Sequence, residues 1–284
     1  MPQVVSFINM KGGVGKTTLA VNVAYGLAYS HKKKVLIVDA DPQFNATQYL
    51  LEDKRYLKHL KDGNFTLSDV FIRRAGRVDT VSGKAQKHDK GKVTLAKARL
   101  NIFDGGSKRG KLDLIPSTLQ LMELENSKRG TENHLRRFLA DQATDYDYVI
   151  IDCPPTISIF TQAAILASDR YLVPIKPDPL SVIGLPLLER WLEEFTEDSG
   201  KTVKSVGLVF TLVRGPLPRR MKEVMDELRA SRGDQVFKAS LSQAACVAKS
   251  VEDHQPTFLS EKSQKTAGQL LAITQEFLDR TIGA

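Results

Sequence analysis

The stretch "VVSFINMKGGVGKTTLAVN", residues 4–22, decides the fold of this chain. A β-branched run leads into a glycine-rich loop and then into a helical pattern, and this is the context in which a phosphate-binding loop occurs. Glycines in the loop let the backbone turn so that its N–H groups converge on phosphate oxygens, and the following helix points its positive N-terminus at the same place. The stretch therefore predicts a nucleotide site at the end of the first strand.

Two side chains of this loop have evident roles. We expect Lys16 to contact the β- and γ-phosphates and the hydroxyl of Thr17 to ligate Mg²⁺. A second lysine, Lys11, stands at the front of the loop, and the phosphate chemistry of one subunit does not account for it. The predicted nucleotide-binding residues of the loop are Lys11, Gly12, Gly13, Val14, Gly15, Lys16, Thr17 and Thr18.

Two further strands are predicted to end in acids. In "DYVIIDCPPT", residues 147–156, Asp152 follows four apolar residues, and we expect it to hold Mg²⁺ through a water. In "VLIVDADPQFNAT", residues 35–47, Asp39 and Asp41 flank Ala40. Asp41 is better placed to lie near the metal and orient an attacking water, whereas Asp39 fits a supporting structural acid.

The rest of the chain alternates short apolar runs with longer helical patterns, which indicates βαβ units. This predicts an α/β fold: one mostly parallel, twisted sheet with helices on both faces, as in P-loop NTPases, over a single domain of residues 1–284. Predicted strands cover 4–8, 34–39, 112–115, 147–152, 171–175, 206–212 and 235–239. Predicted helices lie near 17–30, 117–127, 131–143, 158–168, 181–196, 217–230, 241–252 and 264–281.

The positive charge of the chain is concentrated in one segment. The 284 residues carry a formal net charge of +8. Between Arg73 and Lys111, twelve basic residues stand against three acids, a local charge of +9. We interpret about 73–105 as a basic surface insertion with weak periodicity, and such a segment suggests a polyanionic partner.

Several classes of protein are disfavoured by composition. No apolar run approaches the ~18 residues of a membrane span, and the N-terminus does not fit a signal peptide. The two cysteines, Cys153 and Cys246, form neither a disulfide framework nor a metal-binding pair, and Cys153 fits a small buried residue. We expect a cytoplasmic protein.

The three motifs "KGGVGKTTLAVNVAYGLA", "KVLIVDADPQFNAT" and "YDYVIIDCPP" together resemble the ParA branch of the ParA/MinD group of deviant Walker-type P-loop ATPases. The resemblance implies ATP and Mg²⁺ as cofactors, slow hydrolysis without a partner, and a homodimer in the ATP state. It implies that Lys11 reaches the partner's phosphates, with Gly12 where the two loops approach. Catalysis would then fall to Asp41, Lys11 and Lys16, and the metal to Thr17, Asp152 and Asp41.

The same resemblance implies partners. These are non-specific double-stranded DNA and a ParB-type or centromere-binding protein that stimulates hydrolysis, so that the ATPase partitions plasmid or chromosomal DNA over the nucleoid. An adenine pocket is assigned to Pro177, Thr211 and Arg214. Candidate DNA contacts are Arg190, Lys201, Lys204, Arg214, Arg219, Arg220 and Lys222, with the basic insertion as a second candidate.

Four alternatives stay open at this point. A ParA-like ATPase could position a cargo other than DNA. A MinD-like membrane cycle needs a cationic amphipathic C-terminal helix, which "QLLAITQEFLDRTIGA" does not resemble, so no stable membrane association is expected. An iron protein needs paired cysteines for a cluster. A biosynthetic ligase resembling dethiobiotin synthetase shares the phosphate loop but does not explain Lys11.

Overall fold

The computed structural model describes residues 1–72, 92–106, 108–125, 130–259 and 264–282. Within these residues, seven strands form one sheet in the order β3-β4-β2-β5-β1-β6-β7. All neighbouring strands run parallel except β3 and β4. The strands are β1 (Gln3–Phe7), β2 (Lys34–Asp39), β3 (Leu100–Asp104), β4 (Lys111–Ile115), β5 (Tyr148–Asp152), β6 (Arg170–Ile175) and β7 (Lys204–Phe210).

The central strands are apolar along their whole length because both faces of the sheet are covered. All five residues of β5 are buried, for example. Helices α1 and α11 pack on one face, and α6 and α7 on the other, with α8 and α9 beside β6 and β7. The helices are α1 (Lys16–His31), α2 (Asn45–Leu50), α3 (Asp53–Lys61), α4 (Leu67–Phe71), α5 (Leu95–Ala98), α6 (Asn133–Gln142), α7 (Ile159–Ala167), α8 (Pro179–Ser199), α9 (Arg219–Arg232), α10 (Ala245–Glu252) and α11 (Gln264–Thr281). The predicted fold class is confirmed.

The predicted insertion at 73–105 is wrong in its C-terminal part. Residues 95–98 form α5, and 100–104 form β3, which pairs antiparallel with β4 across a bulge. The sequence pattern concealed β3 because this edge strand is only partly buried. Residues 73–91 of the insertion lie outside the described residues.

Two other predicted elements differ. The segment predicted as a strand at 235–239 makes only an isolated bridge between Val236 and Leu208, because a 3₁₀ turn over Gly233–Gln235 precedes it. The helix predicted near 117–127 is a 3₁₀ helix over Leu119–Leu124. A further 3₁₀ turn covers Thr257–Leu259.

Both sheet edges are tied down by specific contacts. At the β7 edge, the backbone N–H groups of Phe237 and Leu241 donate to the carbonyls of Leu208 and Phe210, at 2.8 Å each. At the β3 edge, the buried carboxylate of Asp113 accepts hydrogen bonds from three side chains and forms an ion pair with a fourth. The donors are Arg99 (2.8 Å), Tyr146 (2.5 Å) and Asn101 (2.9 Å), and the ammonium of Lys111 lies at 3.1 Å.

Candidate functional site

The three sequence motifs meet at one edge of the sheet because their strands are neighbours. Strand β5 lies between β1 and β2, so that Asp152 is in register with Phe7 on one side and with Asp39 on the other. In parallel strands, the carboxyl ends face the same edge. The loop after β1 and the acids of β2 and β5 therefore converge, as the sequence predicts.

The glycine loop is built as a phosphate cradle. Gly13 and Gly15 have φ angles of 70° and 78°, a left-handed conformation that glycine adopts without strain. Gly15 caps α1, so the N-terminus of the helix opens directly onto the loop. The buried hydroxyl of Thr211 donates to the carbonyl of Val14 at 2.5 Å and thereby fixes the loop against the end of β7.

Asp152 is the most informative side chain of the site. It is fully buried, and neither carboxylate oxygen has a hydrogen-bond partner of ordinary geometry among the described residues. Burial raises its pKa to about 7, although the charge of Lys16 and the nearby Thr17 hydroxyl oppose the shift. A buried carboxylate without partners needs a cation or a proton. Its place beside the lysine and threonine of the loop fits a hydrated Mg²⁺ shared with phosphate.

No cluster of three or more His, Cys, Asp and Glu side chains that could hold a metal occurs in the described part of the chain. A magnesium ion that takes its remaining oxygens from water and phosphate does not require such a cluster. Cys153, next to Asp152, is buried at the apolar face beside α7, and burial raises its pKa to about 12. The prediction of a small buried cysteine is confirmed.

The two acids after β2 have different surroundings. The carboxylate of Asp39 accepts hydrogen bonds from the N–H and the hydroxyl of Thr47, both at 2.7 Å. Burial, together with the charge of Asp152, raises the pKa of Asp39 well above its usual value. Asp39 therefore fixes the start of α2, as expected of a structural acid.

The carboxylate of Asp41 accepts from the N–H of Gln43 at 2.9 Å and from the amide of Asn45 at 3.4 Å. Its own carbonyl accepts from the hydroxyl of Ser117 at 2.7 Å. The side chain is 4% exposed and contributes to raising the pKa of Asp152. Asp41 is thus held after β2, close enough to Asp152 for the two charges to interact.

Lys11 has a partner that the sequence did not reveal. Its ammonium lies 2.5 Å from Oδ2 of Asp178, the N-cap residue of α8. Burial acts to raise the pKa of Asp178, but the hydrogen bond and charge of Lys11, together with the hydrogen bonds from Ser181, outweigh it, and the pKa is lowered. The two residues are 167 positions apart. The sequence "PDPLS", residues 177–181, indicates that Asp178 caps a helix, but it does not indicate that Asp178 also pairs with Lys11.

No contact among the described residues requires glycine at position 12. It does not have a left-handed φ, and of the described residues a Cβ added there would meet only Pro155, at 4.0 Å. Gly13 and Gly15, in contrast, need their left-handed backbone.

The residues assigned to an adenine pocket follow the ends of two neighbouring strands, β6 and β7: the N–H of Thr211 donates to the carbonyl of Ile175, two residues before Pro177, at 2.9 Å. Thr211 is at the loop, and the buried Pro177 precedes the Lys11 partner at the start of α8. The guanidinium of Arg214 donates to Gln243 at 3.1 Å. Their role in binding adenine stays a prediction.

The candidate DNA contacts do not form one surface. Lys204 begins β7 and Arg214 follows its other end, about 20 Å away at 3.3 Å per residue. Arg219 and Arg220 open α9 and share one acid, Glu223, at 2.9 Å and 3.3 Å. The candidates therefore fall into three groups. Lys201 and Lys204 lie at the end of the sheet away from the phosphate loop, and Arg190 lies on α8. The third group lies at the same end of the sheet as the phosphate loop: Arg214, Arg219, Arg220 and Lys222.

The C-terminal helix α11 packs its apolar side chains into the core. Leu270, Ile273 and Phe277 are fully buried, in the cluster that also contains α1. Among the described residues, no helix is both long and apolar enough to cross a membrane.

Comparison with known proteins identifies relatives of this chain. A family model described as "AAA domain" matches residues 2–205. The chain is 27% identical over 279 residues to the sporulation initiation inhibitor protein Soj of Bacillus subtilis, covering 97% of this chain and 98% of Soj. It is 32% identical over 213 residues to the virulence plasmid ParA family protein pGP5-D of Chlamydia psittaci, covering 72% of this chain and 68% of the relative.

A solved structure shares the fold. It is a plasmid partition protein from Borrelia burgdorferi bound to AMPPNP, with a TM-score of 0.74 and 22% identity, covering 98% of this chain and 99% of the other. With the loop, the acids and the strand order already described, these matches place the chain in a family: it belongs to the ParA branch of the ParA/MinD group of P-loop ATPases.

Proposed function

We propose that this protein is an ATPase that dimerises with ATP, binds DNA non-specifically in that state, and partitions or positions plasmid or chromosomal DNA. The observation that carries the proposal is the buried, unpartnered carboxylate of Asp152 beside Lys16 at the glycine loop. Such a group fits Mg²⁺·ATP, because a cation there offsets the cost of burying the charge.

Each residue of the site would have one task. The loop N–H groups and the buried Lys16 would hold the phosphates, and Thr17 and Asp152 would hold the metal, which would supply charge neutralisation of the phosphates. Asp41, fixed by Gln43, would orient water at the γ-phosphate and face the same metal. Since Asp41 already accepts two hydrogen bonds from its own loop, its alignment would depend on the position of that loop.

The dimer part of the proposal is supported by Lys11 and Gly12. Two bound triphosphates that face each other repel, and a lysine from each subunit offsets the repulsion. Lys11 stands at the front of the loop, 32% exposed, beside the unobstructed Gly12. Nothing in the packing of the described residues requires a glycine there, which leaves room for a second backbone.

DNA binding would use the cations at the loop end of the sheet: Arg214, Arg219, Arg220 and Lys222. Arg219 and Arg220 have side chains that are 94% and 72% exposed, respectively, as a phosphate contact requires. The basic insertion remains a second candidate. A ParB-type or centromere-binding protein would stimulate hydrolysis, and the protein would be cytoplasmic and nucleoid-associated, without stable membrane association.

The test uses Asp41→Ala with ATP or ADP, at two salt concentrations, on random-sequence duplex DNA and on anionic liposomes. Salt-sensitive DNA binding that requires ATP, without liposome binding, supports the proposal. Binding to liposomes instead indicates a MinD-like membrane cycle. Binding to neither surface removes the support for partition and favours a phosphate-loop enzyme with a small-molecule substrate.

A further inference from the structure

Helix α8 is apolar on two faces. Its inner face buries Leu185, Leu188 and Leu192 against β6, β7 and α9. On its outer face, Leu180, Ile183 and Leu187 are 66%, 64% and 60% exposed. These three residues are spaced i, i+3 and i+7, so they form one stripe. A surface helix with a second apolar face indicates a surface that another molecule covers.

The stripe, defined as Leu180, Ile183 and Leu187, begins at the phosphate loop. Asp178, two residues before Leu180, caps α8 and holds the ammonium of Lys11. The apolar stripe and the lysine that points away from its own loop therefore belong to one surface.

Gly184 lies between the stripe residues in the middle of the helix. A Cβ there would meet nothing within 4 Å, so no contact of the described chain requires glycine. Glycine in a helix interior is unfavourable, and its usual benefit is the close approach of another backbone. The position suits a crossing of two helices at Gly184.

The charge of α8 limits the kind of molecule that can cover the stripe. Beyond the stripe, the outer face continues with Glu194 and Asp198, and α8 as a whole carries five acids against one base. This field repels DNA phosphates and anionic lipid headgroups. Of the three kinds of partner, a protein surface is therefore the one that fits the stripe.

We propose that the stripe is the apolar centre of the ATP-state dimer, where α8 of one protomer crosses α8 of a second copy at Gly184. This inference rests on the proposed function. Facing phosphate loops contribute mainly polar groups, whereas a stable interface buries roughly 800 Å² per partner around an apolar core. The stripe supplies that core next to Lys11, and the acidic ends of the two helices diverge from the crossing.

The first test weakens the stripe without adding charge. Ile183→Gln/Leu187→Gln keeps good helix formers and leaves the phosphate loop intact. In sedimentation with ATP, in the Asp41→Ala background, the dimer dissociation constant should rise at least tenfold, while ATP binding by the monomer is unchanged. The matched control is Ile282→Gln, at the end of α11: Ile282 is 59% exposed, and the neighbouring Thr281 contacts Tyr148 at the far end of the sheet.

The second test measures whether the two copies of residue 183 lie close together in the dimer. In a two-fold dimer, a residue near the axis meets its own copy. Ile183→Cys, in a Cys246→Ser background, should form a disulfide-linked dimer with ATP and not with ADP, because its Cα atoms would approach within about 7 Å. Ile282→Cys in the same background should not.

The outcomes distinguish a failure of the stripe as the dimer centre from a failure of the proposed ATP-dependent dimer. A wild-type chain that stays monomeric with ATP overturns the proposed dimer itself. A dimer that forms normally in Ile183→Gln/Leu187→Gln, or lacks the cross-link at 183, overturns only the stripe as its centre. In that case the stripe would be a binding surface for a different protein.

Discussion

The ammonium of Lys11 lies 2.5 Å from the carboxylate of Asp178, and this carboxylate also caps α8 through the N–H of Ser181 at 3.1 Å. One acid thus links the front of the phosphate loop to the start of a helix. For Lys11 to reach a second subunit, this ion pair has to open. The strength of the pair therefore sets part of the cost of dimerisation.

Asp178→Asn should tighten ATP-driven dimerisation. An amide at this position still caps α8 but no longer holds Lys11 as an ion pair. A partly exposed ion pair is worth about 0.2–1 kcal/mol and each dimer opens two of them, so the dimer dissociation constant should fall about two- to thirtyfold in sedimentation with ATP. A constant that stays the same or rises would mean that the pair is kept in the dimer.

Lys16→Ala and Lys11→Ala should fail at different steps. Lys16 is 7% exposed and faces the site, and loss of a charged hydrogen bond worth 1.5–3 kcal/mol should weaken ATP binding about ten- to hundredfold. Lys11→Ala should bind ATP as a monomer yet dimerise poorly. Titration with a fluorescent ATP analogue, together with sedimentation, distinguishes the two, and equal losses in both assays would contradict the division of roles.

Asp41→Ala should keep ATP binding and lose hydrolysis by about 10²-fold, the lower range for a positioned catalytic group. The dimer should then persist, because ATP is not consumed. Phosphate release under single-turnover conditions measures this directly. Hydrolysis at the wild-type rate would show that Asp41 does not orient the water.

Asp39→Ala should affect stability first. It would leave the buried N–H and hydroxyl of Thr47 without the acceptor they use, at a cost of about 1–3 kcal/mol. The midpoint of urea unfolding should fall for Asp39→Ala and much less for Asp41→Ala, whose carboxylate lies at the edge of the site. The reverse order would exchange the roles of the two acids.

Glu223→Gln should strengthen DNA binding in the ATP state. Glu223 pairs with both Arg219 and Arg220, and its removal frees two exposed guanidinium groups. The slope of log affinity against log salt should become steeper, by about 0.9 for each new phosphate contact. Lys204→Ala, at the other end of β7, should leave the slope unchanged. A steeper slope that Arg219→Ala/Arg220→Ala does not abolish would assign DNA contact elsewhere.

The sequence predicts the parts of the site that follow from strand order. Asp152 and the glycine loop meet because apolar runs end in them and parallel strands share an edge. It does not predict contacts between distant positions. The pairing of Lys11 with Asp178 is one such case, since it depends on how β6 and α8 lie against the loop.

The sequence pattern also does not predict the short helices or the strand at the edge of the sheet. None of the five residues of strand β3 is buried, and its place depends on the contacts of Arg99 and Asn101 with Asp113. Helices α2 to α4 have at most nine residues, too few for a clear 3.6-residue period. The segment at 235–239 has strand-like residues, but a tight turn precedes it.

The hydrogen bonds along β7 have a consequence for how copies of the chain can associate. Phe237 and Leu241 already occupy the carbonyls of Leu208 and Phe210, so an incoming strand would have to displace this segment before it could extend the sheet. Growth by edge-to-edge addition, the route to open-ended filaments, is disfavoured at that side. The proposed association through the phosphate-loop face would instead close on itself after two copies, which would yield a finite assembly that can come apart again.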